Sequence, residues 1–177
     1  MQTNVKRMAL VALFAAIIAV CSWISIPTAV PFTMQTFAVF GAALLLGGRD
    51  GTLAVLTYLL LGAVGLPVFS GFKGGVGALL GATGGYLLGF LLLTLTVWLA
   101  ERFHDQRLTV PAIVVGLLLC YAFGTAWFMV VYARDSGAIG LGAALGWCVL
   151  PFLLPDAVKL ALAIVLSRRV PERLTRR

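Results

Sequence analysis

The side chains best suited to chemistry are an acid and a base, Asp156 and Lys159, within PFLLPDAVK at 151–159, a segment inside a run that is otherwise apolar from 143 to 166. Three positions apart on a helix, they share one face. Ionisable groups inside a membrane are expensive, so two of opposite sign either build a polar pocket or merely neutralise each other. A carboxylate accepts from N–H donors, while an ammonium donates to a carbonyl or pairs with a carboxylate. This is the chemistry of recognition. Pro155 removes a backbone donor and frees the carbonyl of Pro151 one turn earlier, next to the same face.

Other chemistry lacks its parts. The single histidine, His104, lies among acids and arginines in ERFHDQR at 101–107, without the convergent ligands of a metal site or a nucleophile–base pair. Cys21, Cys120 and Cys148 are odd in number and each sits in an apolar run, which fits buried free thiols. No Gly-Lys-Ser/Thr phosphate loop occurs, so ATP hydrolysis is not expected of this chain. Asp156 is the only carboxylate expected within a span, too few for a proton relay. No cofactor, metal or enzymatic reaction is therefore expected.

The elements that position the pair follow from composition. Hydrophobic residues make up 62%, charged residues 11%, and the mean hydropathy is +1.08, far above soluble domains. The 177 residues leave room for six membrane helices of roughly 20 residues and little else. An all-α integral membrane protein with one membrane domain over 1–177 is expected, with spans at 8–26, 34–46, 52–66, 84–100, 110–132 and 143–166. The first run follows Lys6 and Arg7 like a signal peptide, but no small-residue cleavage site succeeds it, so it reads as a span. IPTAVPFT at 26–33 ends the first helix with two prolines, and GGRDG at 47–51 separates two short spans.

Alternating sides from the N-terminus collects Lys6, Arg7, Arg49, Arg102, Arg107, Arg168, Arg169, Arg173, Arg176 and Arg177 on one side, against Lys73 and Arg134 on the other. The positive-inside rule then places both termini in the cytoplasm. The net charge of +7 reads as topology and contact with lipid headgroups of the bilayer rather than as a nucleic-acid surface. Outside lies LPVFSGFKGGVGALLGATGGY at 66–86, whose dense glycine disfavours helix and suits either a lid over a site or a plain connector. In the first span Ala12 and Ala16, and Ala15 and Ala19, recur four apart; such shallow faces admit another helix, although alanine is also simply common there.

PFTMQTFAVFGAALLLGGRDG (31–51), YLLLGAVGLPVFSGFKGG (58–75), GATGGYLLGF (81–90) and LPDAVKLALA (154–163) together resemble the BioY family, the biotin-specific substrate-binding (S) subunits of energy-coupling-factor (ECF) transporters. The resemblance implies a six-helix S-component bundle in the bacterial cytoplasmic membrane that captures biotin from outside beneath external loops. It maps the pocket-lining acid and lysine onto Asp156 and Lys159, with Thr33, Gln35 and Tyr86 bordering the pocket. It further implies a membrane coupling subunit and two ATPase subunits as partners, required by some members only, with Ala12, Ala16 and Ala19 as a docking face. Tyr86, with Phe69 or Phe72 in the lid, suits stacking on biotin's ring and alkyl chain. Lys159 suits either the ureido carbonyl or the carboxylate of biotin, and Lys73 is either a carboxylate partner at the mouth or a solvated loop lysine. Some members carry an arginine shortly after the GGY block, but 87–98 holds no charge here, which shifts weight to the two lysines. The alternatives are another vitamin or a biotin precursor in the same fold, or a membrane assembly protein whose Asp156 and Lys159 serve only each other.

Overall fold

A computed structural model describes residues 2–28 and 30–170. Of the residues assigned to topology above, Arg173, Arg176 and Arg177 lie outside the described residues. The chain runs α1 (Gln2–Trp23), a two-residue hairpin of β1 (Ser25–Ile26) and β2 (Phe32–Thr33), α2 (Gln35–Ala63), α3 (Val76–Leu80), α4 (Gly84–Ala100), α5 (Thr109–Ser136), α6 (Leu141–Cys148) and α7 (Leu150–Arg169). β1 and β2 pair antiparallel, Ser25 opposite Thr33, across the proline-containing turn. Five helical stretches are long and apolar enough to cross a membrane: Asn4–Trp23, Gln35–Ala63, Gly84–Phe103, Gln106–Arg134 and Leu141–Arg169.

The second of these is itself two spans. Gln35 Nε2 donates to Tyr58 Oη at 2.8 Å, although 23 residues of straight helix would separate them by about 34 Å. The chain turns back at Gly47, whose backbone (φ 80°, ψ 173°) leaves the helical region and enters one that a Cβ disfavours. The expected segments 34–46 and 52–66 are thus the arms of one helical hairpin, and the bundle has six membrane helices. Arg49 and Asp50, expected in a loop, are helical and open the second arm. Asp50 is buried and pairs with Arg7, Nη2 to Oδ1 at 2.6 Å, so Asp156 is not the only carboxylate enclosed by the bundle. Glu101 Oε1 accepts from the Gly48 N–H at 2.6 Å. Both acids sit where the helix dipole favours negative charge.

Small residues set how closely the helices approach. A Cβ on Gly48 would fall on the Trp98 backbone nitrogen. The Tyr86 ring lies against Gly124 and the Trp127 side chain against Gly85, interlocking α4 with α5. The final span, expected as one helix, is broken into α6 and α7 at Val149 (φ −125°, ψ −56°). The glycine-rich stretch is not loop throughout, because Val76–Leu80 forms α3.

Gly48→Ala is expected to cost about 1–3 kcal/mol by overpacking against a backbone that cannot yield, read as a lower melting temperature of the purified protein in detergent. Gly146→Ala in α6, where a Cβ meets nothing within 4 Å, is expected to hold or slightly raise it. Equal melting temperatures for the two variants would contradict the close α2–α4 approach.

Candidate functional site

α7 delivers the acid–base pair to the bundle interior. Asp156 and Lys159 are 1% and 4% exposed, and Lys159 Nζ lies 2.7 Å from Asp156 Oδ1. The ammonium also donates to the Thr33 carbonyl at 2.7 Å and to Thr36 Oγ1 at 3.0 Å, with the Phe32 ring centroid 4.3 Å away. Its three N–H donors are therefore all engaged. Asp156 Oδ1 accepts from Thr36 as well, at 2.8 Å, and Oδ2 accepts from the Tyr121 hydroxyl at 2.6 Å. A carboxylate offers roughly four acceptor positions, and these three bonds leave one of them, on Oδ2, open.

This network lines a cavity of about 660 Å³, within the roughly 300–1,000 Å³ typical of small-molecule sites. Thr33, Gln35, Thr36, Tyr121, Asp156 and Lys159 form its polar end. Phe69, Tyr86, Leu87, Phe90, Leu117 and Phe152 form apolar walls. Segments from the β1–β2 turn (Thr28, Val30, Pro31) and from the glycine-rich stretch (Ser70, Lys73, Gly74, Gly77) line the remainder. One end of the molecule is thus concave and polar at depth. At the opposite end of the helices lie the Arg7–Asp50 and Gly48–Glu101 contacts.

Of the eight ligand-facing residues singled out in the sequence, Thr33, Gln35, Phe69, Lys73, Tyr86, Asp156 and Lys159 line this cavity. Phe72 does not. It is 65% exposed, because its ring stacks on Trp23 at 5.1 Å on the outside of α1. Phe69 instead is buried edge-on against Tyr58 at 5.5 Å, over Gly62. On α1, Ala12 and Ala16 are exposed, but Ala19 is buried with Ala15 and Ile18 in the stripe that packs within the chain. Ala19 is therefore unavailable to an outside helix.

Thr36 and Tyr121 were not legible as site residues. Thr36 lies within the quoted PFTMQTF block, and its position one turn from the Thr33 carbonyl gives it a role. Tyr121 carried one usable signal, a hydroxyl deep in an apolar span that needs a partner, but α5 is apolar all round and periodicity does not orient it. The acceptor supplied by Thr33 is backbone and has no side-chain signature.

A family model described as the BioY family matches residues 1–176. The chain is 44% identical over 161 residues to the biotin transporter BioY of Thermotoga maritima, covering 89% of this chain and 91% of that relative. It is 40% identical over 166 residues to the probable biotin transporter BioY of Pyrococcus horikoshii, covering 93% and 96%. Among solved structures, the S-component for biotin from an ECF-type ABC transporter superposes with a TM-score of 0.81 at 26% identity, covering 95% of this chain and 92% of that one.

Lys159→Met strands a buried carboxylate, an imbalance that costs about 3–5 kcal/mol in buried pairs. Thermal unfolding in detergent is expected to show that loss, with Lys159→Met plus Asp156→Asn recovering part of it. A double variant no more stable than the single would contradict a coupled pair.

Proposed function

The chain belongs to the BioY family, and we propose that it is the biotin-capturing S-component of an ECF-type transporter in the bacterial cytoplasmic membrane. It is a multi-pass membrane protein and a transport subunit, not an enzyme. The observation that carries the ligand assignment is the open acceptor position on a buried carboxylate at the polar end of a cavity whose walls are otherwise aromatic and aliphatic.

In this reading a ureido N–H of biotin donates to Asp156 Oδ2, alongside the Tyr121 hydroxyl. Gln35, whose Nε2 spends one hydrogen on Tyr58, keeps a second N–H for the ureido carbonyl. Tyr86, Phe69, Phe90 and Phe152 cover the thiophane ring and alkyl chain. Lys159 pairs with Asp156 and fixes its position, and does not itself reach for the ligand's carboxylate, since each of its donors has a protein acceptor. The site is built before the ligand arrives, which keeps the entropic cost of binding low.

Both termini face the cytoplasm in this arrangement, so the cavity opens outward through the β1–β2 turn and the glycine-rich segment. A membrane coupling subunit with two ATPases supplies the energy, consistent with a chain that has no phosphate loop. The exposed Ala12 and Ala16 face of α1 is the helix-docking surface that remains once Ala19 is assigned to the interior.

Purified protein in detergent is expected to bind biotin tightly by calorimetric titration, with biotin precursors and other vitamins competing poorly. Asp156→Asn removes a charge-assisted bond and is expected to weaken binding at least about tenfold, and Tyr121→Phe by several-fold to about tenfold. Biotin affinity unchanged in both variants would overturn the assignment; a better competitor among the other vitamins would change the ligand.

A further inference from the structure

We infer that Lys73 is the specificity-determining residue for the ligand's acidic tail, so that the cavity selects an elongated molecule with a urea-like head and a free carboxylate at its other end. The inference rests on the biotin reading and adds the group that reads the tail.

Two cations line the cavity, Lys73 and Lys159. Lys159 is spent. Its side chain is 6% exposed and its three donors are held by a carbonyl, a hydroxyl and Asp156, so swinging it towards a ligand anion would leave Asp156 buried without a counter-ion. No arginine lines the cavity among the described residues. Lys73 is the remaining candidate: it is exposed and its ammonium has no hydrogen bond or ion pair among the described residues.

Its backbone is nevertheless fixed. The Phe69 N–H donates to the Lys73 carbonyl at 2.9 Å, and the Gly75 N–H donates to the Gly62 carbonyl at 2.7 Å, which ties the segment to the end of α2. A flexible stem thus rises from an anchored base on an exposed part of the cavity lining, whereas Asp156 is 1% exposed, and Phe69 and Tyr86 line the same cavity. An ammonium on a long stem suits a carboxylate at the end of a flexible chain better than a rigid ring, because it meets the anion without a fixed geometry. The same contact would tie the glycine-rich segment to a ligand whose head is held by α7.

The test compares biotin with biotin methyl ester, which keeps the ring system and loses the charge. The protein is held in zwitterionic nanodiscs so that anionic lipid does not occupy the lysine. The unaltered chain is expected to bind biotin about tenfold more tightly than the ester, with the ratio shrinking in high salt. Lys73→Met is expected to bring the ratio close to one while keeping ester affinity, and Lys73→Arg to preserve it. Asp156→Asn is expected to weaken both ligands alike and leave the ratio standing. A ratio unchanged in Lys73→Met overturns the assignment of Lys73 alone, whereas failure of the unaltered chain to bind either ligand overturns the biotin reading and this inference with it.

Discussion

The acid–base network at the polar end of the cavity depends on one ammonium having three acceptors. Lys159 Nζ joins α7 to the Thr33 carbonyl in β2, to Thr36 in the first turn of α2 and to Asp156 on its own helix. Asp156 then reaches Tyr121 on α5. Two charges buried in a membrane protein are tolerable only when each is neutralised and hydrogen-bonded, and here satisfying them draws three helices and a strand to one point. The same requirement that makes the pair tolerable leaves Asp156, which lines the cavity, with an acceptor position to spare on Oδ2.

The scaffold divides the work between its two ends. At one, α1 is clasped to the second arm of α2 by Arg7 and Asp50, while Glu101 at the end of α4 caps that arm at Gly48. These contacts hold the helices together where no cavity is needed. At the other, α1 meets the glycine-rich segment through weaker and more separable bonds: Ser22 Oγ donates to the Val68 carbonyl at 2.6 Å, Trp23 Nε1 to the Pro67 carbonyl at 2.9 Å, and Phe72 stacks on Trp23. Together with the Gly75 N–H bond to the Gly62 carbonyl, these contacts hang the segment from α1 and from the end of α2, the part-buried Ser22 bond and buried Phe69 inside and the exposed Trp23 and Phe72 contacts outside. The C-terminal end of α1 thus touches the glycine-rich segment, and of the two alanines exposed in mid-helix Ala12 lies nearer the clasped end and Ala16 nearer the other.

How much of this was legible in the residues varies with the kind of signal. Hydropathy and the spacing of charges delimit the membrane helices, and the opposition of Asp156 to Lys159 on an oily helix marks the deep end of the site, because intramembrane charge is rare. Glycines at 47 and 48 mark a break, but only the backbone angles show that the break is a full reversal with helix resuming at once, which carries Asp50 into the bundle. Phe69 and Phe72 are indistinguishable by type and nearly so by position; a three-residue turn sends one inward and the other onto Trp23. Ala12, Ala16 and Ala19 form one small-residue pattern in the sequence, and the burial of Ala19 beside Ile18 splits it. Partners supplied by backbone carbonyls, as at Thr33, leave no trace in residue types.

The central claim is that Asp156 is a ligand acceptor held in place by Lys159, rather than one half of a self-contained pair. The most direct measurement is an experimental structure with biotin bound. The account predicts a ureido nitrogen within about 3 Å of Asp156 Oδ2, with Lys159 still donating to Thr33 and the valeryl carboxylate at the mouth near Lys73. Biotin lying the other way round, its carboxylate on Lys159 and its ureido ring at the mouth, would contradict it.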